Sequence, residues 1–319
     1  MLYAIRHLTR YRYSRPVWQS IMEVRMHPRT ETTQRCFTFQ LSVNPKARIF
    51  AFVDHMGNHV HHFDLPAHHR ELTIVADALV NLDPPPPAPP VLPFEAWEEL
   101  ARLLEEGDHW PMLMPSQYAR PSATLDALMR ELHIDDPDGR DPLSLVYDVS
   151  NAINSTFAYV KKSTAVNSPI ETSLESRQGV CQDFAHIMIA ALRRLRIPCR
   201  YVSGYLHHDE LHEDRSAEGA THAWVEVLLP GLGWLGFDPT NGGLTAGRHI
   251  RTAVGRDYAD VPPTIGTMKG RAETELQVRV RVAESQALLP QDEDFAADEE
   301  WSLFLESDEQ ALLFQQEQQ

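Results

Sequence analysis

Seven prolines in eleven residues, DPPPPAPPVLP from Asp83 to Pro93, constrain this chain more than any other feature. Proline has no backbone N–H to give, and its ring crowds the residue before it. Such a run therefore joins neither a helix interior nor a sheet ladder, and reads as an extended linker over residues 84–93. The 319 residues on its two sides differ in kind. Before it, LYAIRHLTRYRY, SIMEVRMHP, RCFTFQLSVNP, ARIFAFVDH, HVHHFDLP and ELTIVADALVNL are short runs rich in β-branched and aromatic residues, the pattern of strands. Met56-Gly57-Asn58 suits a tight hairpin turn between two of them. Six runs so closely spaced predict an antiparallel β-sandwich over residues 1–83.

After the prolines the period changes. FEAWEELARLLEEG, LDALMRELH and DPLSLVYDVSNAINSTFAYV set apolar residues three and four apart, as helices do. From Cys181 to Leu195 the pattern is clearest, with Phe184, Ile187, Met188, Ala191, Leu192 and Leu195 on one stripe and Pro198 closing the run. Strands return in CRYVSGYL, HAWVEVLL, WLGFDP and ETELQVRVRVAE. Helices followed by antiparallel strands make an α+β domain, expected over residues 94–283.

The net charge of −16 is unevenly spread. Residues 291–319 hold ten acids and no Lys or Arg; taking those ten away leaves −6, ordinary for a soluble domain pair. Residues 284–319 therefore read as an acidic tail, with EEWSLFLESDEQALLFQ either a docking helix or disordered. The charge balance argues against a nucleic-acid-binding surface, and no 18-residue apolar run suggests a membrane partner. Three scattered cysteines, Cys36, Cys181 and Cys199, fit neither a disulfide framework nor a paired-Cys zinc site. With no signal-peptide pattern at the start, the expected compartment is the cytoplasm.

The chemistry begins at GVCQDFA. Cys181 stands at the head of the apolar helix, where unsatisfied amides and the positive dipole end favour a thiolate and are placed to hold an oxyanion. Such a nucleophile needs a base and a group to orient that base. The stretch THAWVEVLLPGLGWLGFDPTNG supplies His222 opening one strand and Asp238 closing the next. In the first strand His222, Trp224 and Glu226 share a face. The hairpin between the strands is a test. A three- or five-residue loop centred on Pro230 sets Asp238 opposite His222, whereas a four-residue loop sets it opposite Val225 on the wrong face. The constellation therefore requires an odd loop or a bulge.

GVCQDFA, RYVSGY, HAWVEV and GWLGFDPTN, in that order, closely resemble the bacterial transglutaminase-like superfamily. The β-rich first eighty residues, with DHMGN at their centre, resemble its N-terminal domain, and GRDYADVPPTIGTMKG its usual continuation. The resemblance implies a papain-like α+β core in which Cys181 is the nucleophile, His222 the base and Asp238 the orienting carboxylate. No motif match identifies an oxyanion side chain; Tyr159 is the candidate. The implied reaction is acyl transfer through a thioester on a protein or peptide substrate, with no cofactor. Water as acceptor makes a peptidase or amidase and an amine makes a transglutaminase; hydrolysis is favoured because no acceptor site is visible. A non-catalytic binding module on the same fold is the other reading.

Other residues take plainer roles. Trp224 and Trp234 flank the site as candidate substrate walls, although packing is the commoner use of buried tryptophans. Gln182 and Asp183 read as helix-start residues, and Cys199 as a buried, inert thiol. His59 with His61, and His207 with His208 and His212, lack the spacing of a closed zinc site and read as solvated surface. The polar loop 207–219 reads as a mobile flap.

Overall fold

A computed structural model of the protein describes residues 1–285 except 108, 210, 211, 217 and 218. The acidic tail expected from residue 284 on thus lies almost wholly outside the described residues.

The first two predicted runs fuse into one long strand, β1 (Leu2–Val24), followed by β2 (Gln34–Asn44), β3 (Ile49–Val53), β4 (His59–Leu65) and β5 (His69–Leu82). β1 serves two sheets. Its first half pairs with β5, and after a register shift between Arg12 and Val17 its second half pairs with β4. The inner faces share one core, with Val17, Met22 and Val24 of β1 against Phe63, Leu65, Leu72 and Ile74. The DHMGN turn forms as expected, with Gly57 at φ 78° and the pair Asp54–Asn58 closed by a hydrogen bond of 3.0 Å. His59 and His61 are half-buried in a ring stack with His27 and Phe39, which corrects their reading as solvated surface. Burial, with His59 adding to it, pushes His27 down to about 4.

The proline stretch has no regular secondary structure. Helices follow in α1 (Ala96–Glu106), α2 (Ala123–Glu131) and α3 (Pro142–Thr156). Ser122 caps α2 by accepting from Leu125 N–H. Asp141 caps α3, with Pro142 at the first position, where a missing N–H costs nothing. Beyond the predicted elements come β6 (Ala158–Tyr159), α4 (Ile170–Ser176) and β7 (Gln178–Gly179), short pieces with little periodicity to read. They lead into α5 (Cys181–Arg194). Every residue of α5 from Asp183 to Arg193 is buried, not one stripe alone. Sheet and helices surround it, so its polar residues find internal partners. Arg193 donates to the carbonyls of Met112, Cys199 and Arg256 and to Ser116 Oγ. His186 accepts from Tyr258 N–H.

The core sheet comprises β8 (Cys199–Leu206), β9 (His222–Leu229), β10 (Gly233–Phe237) and β11 (His249–Gly255), in the order β10-β9-β8-β11. Ala223, Val225 and Val227 of β9 face α5 in the main hydrophobic core. β11 is an edge, and a strand edge offers unpaired N–H and C=O groups. Two buried side-chain amides of the N-terminal region meet them. Gln34 binds both N–H and C=O of Arg251 at 2.8 Å; Asn58 binds those of Val254 at 2.8 and 2.9 Å. The two parts of the molecule are locked by groups that imitate a neighbouring strand.

The last strands, β12 (Thr264–Lys269) and β13 (Thr274–Glu284), both pair with β1. This departs from a self-contained unit over residues 94–283: the chain returns to finish the sheets it began. Alternation in ETELQVRVRVAE identifies a strand, but which strand it joins is a tertiary choice that periodicity does not carry. No helix among the described residues is long and apolar enough to cross a membrane.

Candidate active site

Cys181 is the first residue of α5, half-buried and unbridged. Three local features set its position. Val180 is extended, turning the chain into the helix. Asp183 folds back to accept from Val180 N–H at 2.8 Å and from Thr164 Oγ1 at 2.6 Å. Burial pushes its carboxyl up, although those hydrogen bonds oppose it. Gly179 is required for close approach, since a Cβ there would stand 2.9 Å from the Asp183 Cβ. Asp183 is thus a cap, as its place at the helix start suggests. Helix geometry leaves the Cys181 and Gln182 N–H groups without intrahelical acceptors.

The β9–β10 hairpin settles the register. Leu229 pairs with Gly233 and Val225 with Phe237, so the loop is the three residues 230–232. The odd loop required by the sequence is there, but its centre is Gly231 rather than Pro230. One step beyond the last pair, Asp238 falls level with Trp224, on the face of His222 and diagonal to it. That diagonal is short enough: His222 Nε2 meets Asp238 Oδ2 at 2.7 Å.

His222 and Asp238 are 3% and 1% exposed, so their electrostatics are those of a buried pair. Burial works against charge on the imidazole. The Asp238 carboxylate and its hydrogen bond, then Cys181, outweigh it and push His222 up to about 10. Asp238, despite its own burial, is held well below the usual carboxylate range by His222 and His249. The other ring nitrogen, Nδ1, is buried and has no hydrogen-bond partner among the described residues. It is the nitrogen left for the Cys181 thiol, whose charge acts on the ring.

Asp238 accepts five hydrogen bonds. Oδ1 takes the Thr240 and Asn241 N–H groups at 3.0 and 3.2 Å, a local turn made by an aspartate. Oδ2 takes His222, Asn241 Nδ2 at 2.9 Å and His249 Nε2 at 3.1 Å. Asn241 Oδ1 in turn accepts from the N–H groups of Arg215 and Ser216, while Arg215 donates to the carbonyls of Asn154 and Phe157. Arg215 and Ser216, expected to belong to a mobile flap, are pinned to the Asp238 carboxylate through Asn241. His208 likewise pairs with Asp214 at 3.1 Å, and His207 lies against Tyr3; neither is simply solvated.

Comparison with known proteins places this arrangement. Residues 136–239 match the transglutaminase-like superfamily, and residues 3–81 match the bacterial transglutaminase-like N-terminal region. An uncharacterised protein of Mycobacterium leprae is 32% identical over 86% of this chain and 96% of its own length. The chain belongs to the transglutaminase-like superfamily. An uncharacterised relative from Mycobacterium tuberculosis is 35% identical over 85% of this chain and 88% of its own. A protein-glutamine gamma-glutamyltransferase of Pseudomonas aeruginosa is 29% identical over 46% of this chain and 22% of its own. Among solved structures, a candidate cysteine protease from Cytophaga hutchinsonii has the same fold at TM-score 0.66, 21% identity and 92% and 95% coverage.

In this superfamily member the two tryptophans take the packing role, the commoner of the two readings, rather than that of substrate walls. Trp224 is 0% exposed and offers no surface to a substrate. It packs against Val202 and Val254 with its ring stacked 6.0 Å from that of His222. Gly204 makes room for it, since a Cβ there would stand 2.6 Å from the indole. Trp234 pairs with Leu228, six residues along β9 from His222 and so roughly 20 Å away; it stacks under Arg200 instead. Tyr159 stays close: β6 sets it beside Gly179, two residues before Cys181, with its ring edge-on to Phe184.

The residues missed were Asn241 and His249. Asn241 lies inside the DPTN motif and could have been read as a second donor to Asp238. His249 opens β11, a strand whose sequence HIRTAVG gives little alternation.

His222, Asp238 and His249 are also the one group among the described residues whose ligand atoms lie within 4.8 Å of one another. Their chemistry does not fit a cation as they stand. His249 Nδ1 accepts from Ala246 N–H, so Nε2 carries its proton toward Asp238. The Nε2–Oδ2 distances of 2.7 and 3.1 Å are those of N–H···O hydrogen bonds and are shorter than the separation of two ligands each about 2.0–2.2 Å from one tetrahedral zinc, which would also require both Nε2 atoms to be deprotonated.

Proposed function

We propose that the protein is a cysteine-dependent amide hydrolase, a peptidase or amidase working through a thioester on Cys181. The observation that carries the reading is the buried His222–Asp238 pair with one imidazole nitrogen left open toward a cysteine at a helix start. The Cys181 thiolate attacks the amide carbonyl carbon, and its electron pair forms the C–S bond. The oxyanion is taken by the first-turn amides of α5, with Tyr159 the side-chain candidate. Collapse breaks the C–N bond, and His222, protonated at neutral pH, gives its Nδ1 proton to the leaving amine. Neutral His222 then takes a proton from water as water attacks the thioester, releasing acid and regenerating the ion pair. Asp238 holds the proton-bearing Nε2 of His222 throughout, so that Nδ1 always faces the sulfur.

An amine in place of water gives transamidation, and the Pseudomonas relative favours keeping that second reading. One experiment separates them. The protein is incubated with glutamine and peptide amides, with and without a primary amine, and the products are weighed by mass spectrometry. Hydrolysis predicts free acid at the same rate whether or not amine is present. Dominant amine adduct would replace hydrolase by transferase, and neither product over a broad library would reject both.

A further inference from the structure

Two histidines, not one, donate to the same oxygen of Asp238. His222 does so at 2.7 Å and His249 at 3.1 Å, and only His222 has a nitrogen available to the nucleophile. The two rings differ in what holds their far nitrogen. His222 Nδ1 has no hydrogen-bond partner among the described residues. His249 Nδ1 accepts the backbone N–H of Ala246 at 3.2 Å. A backbone N–H can only donate, so it fixes His249 as the tautomer with hydrogen on Nε2. Protonating Nδ1 would place two N–H groups head to head. The edge of Trp224, 5.3 Å away at 77°, packs against the ring.

We propose that His249 is a positioning residue of the triad: it gives Asp238 Oδ2 an uncharged N–H, and so limits how strongly the carboxylate holds the proton of His222. A carboxylate that spends acceptor capacity on neutral donors binds the remaining proton less tightly. That matters here because His222 must release a proton in each cycle, and an imidazolium bound too firmly is a poor acid.

The charged neighbours support this division of labour. His249 faces Asp238, His222 and the preceding Arg248. Burial first, then His222 and Arg248, keep it lowered, against the pull of Asp238. Arg248 is itself occupied by Asp214, which also meets His208. His222 faces Asp238 and Cys181. Asp238 retains Asn241 and two backbone donors if His249 is removed, so the carboxylate stays oriented and the electrostatic effect is isolated.

The inference rests on Cys181 being the nucleophile, and the test separates the two. Alkylation of Cys181 by iodoacetamide is followed by peptide mass spectrometry across pH in the wild type, His249→Phe and His249→Gln. The wild type is expected to show an alkaline inflection where His222 loses its proton. His249→Phe, similar in size but without a donor, moves that inflection upward by on the order of half to one pH unit. His249→Gln, which restores an N–H, returns it toward the wild-type position. An inflection that is unmoved or lowered in His249→Phe, or a Gln variant that matches Phe, overturns the proposal and leaves a packing residue. A wild-type Cys181 that reacts no faster than Cys36 sinks the nucleophile instead. Should the variants fail to fold, ¹³C shifts of the wild-type rings decide. His249 is expected to be the neutral Nε2–H tautomer from pH 6 to 9, and any other form contradicts the proposal.

Discussion

Two buried carboxylates lie on one face of the core sheet and are treated in opposite ways. Asp238 is held by titratable or neutral donors, His222, His249 and Asn241, and its network ends on the imidazole nitrogen left to the Cys181 thiol. Glu226, four residues from His222 on β9, is held by Arg200 at 2.6 Å and Arg251 at 3.3 Å. Its network runs on through Arg251 to Glu31 in the N-terminal region and through Arg200 to the face of Trp234. Arginine keeps its charge at any working pH. Glu226 is therefore paired with fixed positive charge and ties the two regions together, whereas Asp238 is paired with an imidazole, a group that can gain or lose its proton. Burial is common to both; the kind of donor distinguishes them.

That contrast can be broken by experiment, and the largest effect belongs to the nucleophile. Cys181→Ala should lower turnover by about 10⁴-fold or more with little change in melting temperature, measured by calorimetry. Asp238→Asn should cost about 10³- to 10⁴-fold in kcat with the fold retained, because an amide turned toward Nε2 favours the wrong tautomer. Glu226→Gln should do the reverse. It leaves the partly buried Arg200 and Arg251 undercompensated, at a cost of about 2 kcal/mol in denaturant unfolding, while activity per folded molecule changes little. If Glu226→Gln abolishes activity in folded protein, the division between the two networks is wrong.

The pH dependence sharpens the same contrast. His222 is raised from its ordinary value to about 10. Its charged form therefore stabilises the fold fully below the unfolded-state value near 6.5, and that contribution is lost as pH rises through about 10, with activity falling on the same limb. His7 and His186 are lowered to about 3 and 4, burial being the leading cause in each. Their neutral forms stabilise the fold above about 6.5, and this is lost as pH falls toward 3–4. The melting temperature should be highest near roughly pH 6.5 to 7, declining below about 6 as His7 and His186 are forced to charge and declining steadily above about 7 as the His222 contribution is lost. A melting temperature that does not fall in acid would contradict the buried neutral histidines. The smallest effect is expected from Trp234→Ala, which removes a cation–π contact worth about 1 kcal/mol and should leave kcat/KM within about threefold, since the ring is roughly 20 Å from His222.

The positions of Cys181, His222 and Asp238 were legible because each is a local event: a cysteine opening an amphipathic run, and a histidine and an aspartate on the two arms of one hairpin. Parity alone demanded an odd loop, and only its centre needed coordinates. What was not legible depends on contacts distant in sequence. Packing is the commoner reading of Trp224 in the sequence, but the notch at Gly204 that admits its indole is not visible there. Gln34 and Asn58 look like turn and strand-end polar residues, yet they close the β11 edge some two hundred residues away. His249 and the pairing of β12 and β13 with β1 likewise exist only once distant strands have met.

The central claim is that Cys181 is held ready by His222, and competitive labelling of the three thiols tests it most directly. The folded protein is treated with limiting iodoacetamide at pH 7, and modification of Cys36, Cys181 and Cys199 is read peptide by peptide. Burial pushes Cys36 and Cys199 up to about 11. Cys181 should therefore be alkylated faster by at least two orders of magnitude, and His222→Ala should remove most of that advantage. Comparable rates at all three cysteines in folded protein, or a Cys181 rate indifferent to His222, would contradict the account.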